Sequence, residues 1–244
     1  MDNAEAHQFA REKGTAKAAT MAVRGISIPY MKLVYALKIE GAERIPKSGP
    51  VIIAPNHKSF WDAFFVAAAT KRPIRFMGKA ELFEGAKGRM LIRLGAFPVR
   101  RGTADEDAME TARAILRDGG LLALFPEGTR VRDPYDLGTP KRGATRLALE
   151  TGATIVPAAI TGTERLFIGP FPKPGRVRVA FGEPIPVEVI DPTPEEAARI
   201  LDEELWPQVS EQHERLLSHP GVIAAGIAAL GIGAGVAAKR RRKR

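Results

Sequence analysis

Val51-Ile-Ile-Ala-Pro-Asn-His57-Lys-Ser-Phe-Trp-Asp62 is the stretch from which the rest of the chain can be read. Its first five residues form an unbroken apolar run, the pattern of a buried strand. The run gives way to a polar block in which His57 precedes Asp62 by five residues. A histidine at the end of a buried strand and an aspartate at the start of the next helix can meet across the intervening turn. The carboxylate then fixes the imidazole tautomer and stabilises the imidazolium, as in a triad that lacks its serine. If a substrate supplies the missing hydroxyl, His57 is a general base that activates an alcohol for attack on an acyl group. The same residues also fit a histidine beside a helix-capping aspartate with no chemical role.

Outward from this stretch, short apolar runs alternate with helical segments. Strands are expected at Val51–Pro55, Ile74–Gly78, Ala96–Arg100, Leu121–Phe125, Thr154–Ile160 and Val177–Phe181, and helices near 60–70, 86–94, 105–118 and 143–151. This alternation specifies an α/β fold, a single domain with a mixed, largely parallel central sheet flanked by helices. Residues 38–218 form that domain. Its last helix spans 193–218 and opens on Thr193-Pro194-Glu-Glu, an N-cap followed by proline at the first helical position and acidic residues in the first turn. Residues 1–37 are a basic amphipathic helical segment, with Gly25 and Pro29 as expected break points. Such a segment can lie on an anionic bilayer or pack its apolar stripe on the domain.

The 244 residues carry 37 Lys and Arg against 28 Asp and Glu, a formal charge of +9. The excess sits at the ends. Residues 1–38 contribute +3 and Lys239–Arg244 contribute +6, so the 200 residues between them are formally neutral. A compact nucleic-acid-binding domain more often carries its charge on a folded face, so nucleic acid is not expected as a partner. An anionic membrane surface is. Residues 220–238 are uncharged and directly precede the basic run. As a helix they would extend about 28 Å, a marginal transmembrane candidate, with an interfacial tail held to lipid head groups as the alternative. The chain has no cysteine, which excludes disulfides, thiolate nucleophiles and Cys-built zinc sites. Its N-terminus lacks a signal-peptide pattern, so a membrane-associated protein facing the cytoplasm is expected.

Two further blocks carry polar residues at strand ends, and a third is an apolar run with a proline. Phe125-Pro-Glu127-Gly128-Thr129-Arg130 follows the run Leu121-Leu-Ala-Leu. Ligands of α/β sheets bind at such strand ends, Gly128 permits close approach, and Thr129 and Arg130 can donate to an anion. An ordinary Pro-Glu-Gly turn fits the same residues. Gly95-Ala-Phe-Pro-Val-Arg-Arg101 places arginine beyond a short strand. Between Lys71 and Arg101 there are nine basic and two acidic residues, a local excess suited to phosphate. Ile155-Val-Pro157-Ala-Ala-Ile160 is an apolar run whose proline suggests an interrupted or edge strand.

In this order and spacing, NHKSFWD, GAFPVRR, FPEGTR and IVPAAI resemble the four-motif pattern of the glycerolipid acyltransferase family that contains the 1-acyl-sn-glycerol-3-phosphate acyltransferases. The resemblance covers about residues 37–185 and leaves out both ends. It implies that His57 is the general base and Asp62 its orienting partner. It further implies that Glu127, Gly128, Thr129 and Arg130 bind the phosphorylated glycerol acceptor, and that Arg101 and Lys79 face its phosphate. Pro157 would have an acyl-chain or structural role. The chain departs from the pattern at Pro98-Val99, where family members often carry Phe-Ile or a similar pair.

The function so implied is transfer of a fatty acyl group to 1-acyl-sn-glycerol 3-phosphate, giving phosphatidic acid. The donor would be acyl-CoA or acyl-carrier protein, and no metal or other cofactor is expected. Glycerol 3-phosphate or another lysophospholipid is the alternative acceptor. A lipid hydrolase using the same pair with water, and a non-catalytic lipid-binding protein, are the readings from other classes.

Overall fold

The computed structural model describes residues 3–12, 15–100, 102, 105–169 and 171–218. Arg101 and the whole of the apolar and basic tail, 219–244, lie outside them. Five strands run parallel: β2 (Val51–Pro55), β3 (Ile74–Lys79), β4 (Ala96–Val99), β5 (Leu121–Ala123) and β6 (Thr154–Thr161). Two run the opposite way, β1 (Lys38–Glu40) and β9 (Arg178–Phe181), the latter pairing antiparallel with β6. The sheet order is β1-β9-β6-β2-β5-β3-β4. A separate two-stranded hairpin, β7 (Phe167–Ile168) with β8 (Phe171–Pro172), stands between β6 and β9 in the chain. The largely parallel α/β sheet anticipated from the sequence is therefore the fold.

The unbroken apolar run of β2 follows from burial on both faces. Ile52 and Ala54 face one layer, with Leu122 and Ile155, under α5 (Glu106–Arg117), α6 (Gly143–Thr151), α7 (Pro194–Arg199) and α8 (Trp206–Leu217). Val51 and Ile53 face the other, with Leu121, Val156 and Ile160, under α2 (Lys17–Val34) and α3 (Asp62–Ala68). Alternate residues of one strand thus fill two cores, which removes any polar position from the run. The N-terminal helix α1 (Asn3–Glu12) packs against α5 and β4, with Ala6 and Ala10 buried, and α4 (Gly85–Arg93) lies beside β4. Among the described residues, no helix is long and apolar enough to cross a membrane.

Three local expectations are corrected. Pro157 neither interrupts nor edges the sheet: β6 is continuous and paired on both sides. The amide of Thr154 points to the β2 side and that of Ile155 to Ile185 on the other, so alternation turns the Pro157 nitrogen away from β2. It falls between the Ile155–Ile185 bridge and the β9 ladder that begins at Ala158, where no ladder donor is required. Gly25 and Pro29 do not break α2, which runs through both. Pro29 removes the donor that would reach the Gly25 carbonyl four residues earlier, and because both are exposed that carbonyl is open to water. The final helix contains a π-helical turn at Ile200–Leu205. Pro207, in the first turn beyond it, cannot donate to the carbonyl four residues back, and the widened turn accommodates that loss.

Candidate active site

The parallel strands share a carboxyl edge, and the polar blocks collect there. β2 delivers Asn56 and His57, β5 delivers Phe125 to Glu127, β3 delivers Lys79, and β6 delivers Thr163. His57 and Asp62 meet across the turn as their spacing suggests: His57 Nδ1–H donates to Asp62 Oδ2 at 2.8 Å. Asp62 Oδ2 also accepts from the backbone N–H groups of Lys58 at 2.7 Å and Ser59 at 2.8 Å. Its Oδ1 accepts from the Thr163 hydroxyl at 2.5 Å. The aspartate is fully buried, so these donors replace the water that an ionised carboxylate needs. With Nδ1–H committed to Asp62, the free lone pair of the imidazole is on Nε2. The Phe125 ring stacks on the imidazole with centroids 4.1 Å apart and planes 26° apart, which fixes the ring orientation from one face.

Glu127 lies behind the histidine rather than in the open site. It is 2% exposed, and its Oε1 accepts the backbone N–H of His57 at 3.2 Å. Burial raises its pKa, opposed by that hydrogen bond and by the Lys58 charge. Its Oε2 is packed so close to Gly138 that a Cβ there would come within 2.9 Å of it, so a larger residue would have to displace the carboxylate. Gly128 has φ +65°, the left-handed turn that brings the chain away from Glu127. Thr129 and Arg130 are exposed beyond it.

A cavity of about 780 Å³ opens beside this edge. His57, Phe125, Lys79 and Arg130 all line it, and most of its wall is apolar, from Ile28 of α2, Phe64 and Ala68 of α3, Phe76 and Met77 of β3 and Leu91 of α4. Lys79 is ion-paired with Glu81 at 3.0 Å. Lys87 adds a further cation to the wall, whereas Arg72, though also in it, spends its guanidinium on the carbonyls of Pro46, Gly49 and Gly119. Glu127, Gly128, Thr129 and Pro157 are not among the lining residues. Pro157 is buried in β6 against Gly182. Arg101 lies outside the described residues. Its neighbour Arg100 is engaged by the start of α5, donating its backbone N–H to Asp105 at 2.7 Å and pairing with the same carboxylate at 3.4 Å.

Several residues of the site had no separate signal in the sequence. Thr163 is 101 residues from Asp62 and reaches it only because β6 lies beside β2. Asn56 makes that neighbourhood rigid: its Oδ1 accepts the Ile160 N–H at 2.7 Å and its Nδ2 donates to the Ile160 carbonyl at 3.1 Å. Lys58 is buried, and its ammonium donates to the carbonyls of Asp133, at 2.7 Å, and Asp136. It pins the 131–141 loop under the site, and desolvation lowers its pKa. Asn56 and Lys58 stand inside the quoted NHKSFWD block, but nothing in their spacing distinguishes bracing from chemistry.

Comparison with known proteins agrees with this architecture. Residues 36–161 match the model of a family described as Acyltransferase. The chain is 30% identical over 154 residues to a 1-acyl-sn-glycerol-3-phosphate acyltransferase of Bacillus subtilis, covering 61% of this chain and 73% of that protein. It is 32% identical over 136 residues to a chloroplastic enzyme of the same description from Arabidopsis thaliana, covering 54% and 38% respectively. The chain therefore spans well under half the length of that plant relative. The crystal structure of the 1-acyl-sn-glycerophosphate acyltransferase PlsC from Thermotoga maritima superposes with a TM-score of 0.65 and 25% identity, over 82% of this chain and 80% of that one. With more than half of the chain inside the family model, and with the fold of a solved relative around its His57–Asp62 pair, this protein belongs to the Acyltransferase family.

Proposed function

We propose that the protein transfers a fatty acyl group from an acyl thioester to the free hydroxyl of 1-acyl-sn-glycerol 3-phosphate, forming phosphatidic acid. The observation that carries this reading is the His57–Asp62 pair, 2.8 Å apart, set in the wall of a large and mainly apolar cavity. Nε2 of His57 accepts the proton as the acceptor hydroxyl attacks the thioester carbonyl. The tetrahedral adduct collapses, the carbon–sulfur bond breaks, and the imidazolium returns the proton to the departing thiolate. Asp62 holds the ring and stabilises its charge between the two transfers. The apolar wall suits an acyl chain, while Lys79, Arg130 and Arg101 supply charge for the acceptor phosphate. Glu127, an acceptor for the His57 amide, serves as a brace in this scheme, and Pro157 has a structural part.

The names of the relatives support the acceptor, and the donor is acyl-CoA or acyl-carrier protein. An acceptor with one acyl chain and a product with two imply an enzyme at an anionic membrane surface, in keeping with the charge at residues 1–37 and 219–244. The test is an acceptor and donor screen with purified protein in detergent, following a labelled acyl group. Its appearance in phosphatidic acid on addition of 1-acyl-sn-glycerol 3-phosphate supports the reading. Release as free fatty acid, independent of acceptor, identifies a hydrolase instead.

A further inference from the structure

The β7–β8 hairpin has an unusual surface for so short an element. Phe167, Ile168 and Phe171 are 41%, 67% and 72% exposed, and together they put three large apolar side chains into water on strands of two residues each. The base of the hairpin is firmly held. Leu166 is buried, its carbonyl accepts from the Lys173 N–H at 2.8 Å, and Gly175 N–H donates to the Val34 carbonyl at the end of α2 at 3.2 Å. An apolar tip on an anchored base is expensive in water and has a use only if something apolar receives it. Arg165, Lys173 and Arg176 flank the hairpin at its base, are exposed, and form no ion pair among the described residues.

A row of aromatic rings joins this tip to the catalytic cavity. Phe167 meets Trp61 with ring centroids 5.6 Å apart, Trp61 meets Phe64 at 5.5 Å and Phe60 at 5.6 Å, and both phenylalanines line the cavity. From Val34, α2 continues the same exposure with Met21, Ile26 and Leu33.

We propose that the β7–β8 hairpin is a membrane-docking element, which sinks Phe167, Ile168 and Phe171 into the acyl region of an anionic bilayer while Arg165, Lys173 and Arg176 engage lipid phosphates. An apolar tip on a base that carries exposed cations is complementary to a bilayer surface, apolar beneath a layer of anionic head groups. Docking of the tip then brings the bilayer surface up to Trp61, which packs on Phe60 and Phe64 of the cavity wall. The inference rests on the acyltransferase reading only for the use of that placement.

The experiment uses the full chain with Trp206→Phe, so that Trp61 is the sole tryptophan, and vesicles of phosphatidylcholine with or without phosphatidylglycerol, their acyl chains brominated to quench tryptophan. Trp61 emission is expected to be quenched on anionic vesicles and much less on neutral ones. Adding Phe167→Ser, Ile168→Ser and Phe171→Ser together should weaken that quenching titration at least about tenfold, while the melting temperature and acyl transfer in detergent stay as before. Sedimentation with vesicles while Trp61 remains unquenched overturns the inference, because attachment then lies elsewhere. So does a concentration-dependent dimer that the triple variant abolishes with vesicle binding unchanged, since the tip then receives a second copy. Loss of quenching with intact transfer in the triple variant supports docking by the hairpin. Quenching without any transfer by the parent protein also supports it and overturns the functional reading alone.

Discussion

The Thr163 hydroxyl donates to Asp62 Oδ1 at 2.5 Å, on the carboxylate whose other oxygen holds His57. This bond joins the turn after β6 to the turn after β2, between residues 101 positions apart in the chain. Thr163→Val removes the donor and keeps the shape. Acyl transfer should lose kcat by roughly tenfold to a hundredfold with little change in KM, because the imidazole is displaced rather than the substrate pocket. Thr163→Ser should restore most of it. Equal activity of the valine and serine variants contradicts a positioning role.

Glu127 separates bracing from phosphate recognition. Glu127→Gln keeps an oxygen for the His57 N–H and should retain most stability, whereas Glu127→Ala leaves that buried donor orphaned and should cost about 1–3 kcal/mol in chemical denaturation. In neither variant should the KM for the acceptor rise in proportion to the loss of kcat. A selective rise in acceptor KM with normal stability would place Glu127 on the substrate.

His213 of α8 is buried, and desolvation together with the Lys58 charge lowers its pKa to about 4, partly offset by a hydrogen bond to the Pro134 backbone. A group with a depressed pKa in the folded state favours unfolding once it must be protonated. Its contribution is therefore fully present above the ordinary histidine value near 6.5 and is lost as pH falls from there toward 4, on the order of 3 kcal/mol in all. His213→Gln should flatten this part of the stability profile. An unchanged slope between pH 6.5 and 4 shows that other groups set the acid limb.

Gly162 governs the turn that carries Thr163. It has φ +87°, and a Cβ there would lie 2.0 Å from the Arg176 carbonyl oxygen. Gly162→Ala should lower the thermal midpoint and depress transfer beyond the loss of folded protein, since relief of the clash moves Thr163. Full specific activity in the folded fraction contradicts that coupling.

The fold was legible where burial acts on every residue of a segment. Val51 to Pro55 face two cores at once, so their apolar run reveals a covered parallel strand, and Thr193-Pro194 marks its helix because capping is local chemistry. The His57–Asp62 contact was legible for the same reason, being made across one turn. Thr163 was not, since its partner is set by the order of strands in the sheet. Pro157 misled because a proline's cost depends on which side of the strand its missing donor faces, which only the neighbouring ladder decides. The β7–β8 hairpin carries too few residues for any periodicity, and β1, Lys-Ile-Glu, has no apolar run to announce it.

The central claim is that His57 removes the proton from the acceptor hydroxyl, and the direct measurement is transfer of a labelled acyl group from a thioester to 1-acyl-sn-glycerol 3-phosphate by the wild type and by His57→Ala. The variant should melt as the wild type does and lose kcat/KM by roughly a hundredfold to ten-thousandfold. Transfer retained at the wild-type rate by folded His57→Ala would contradict the account.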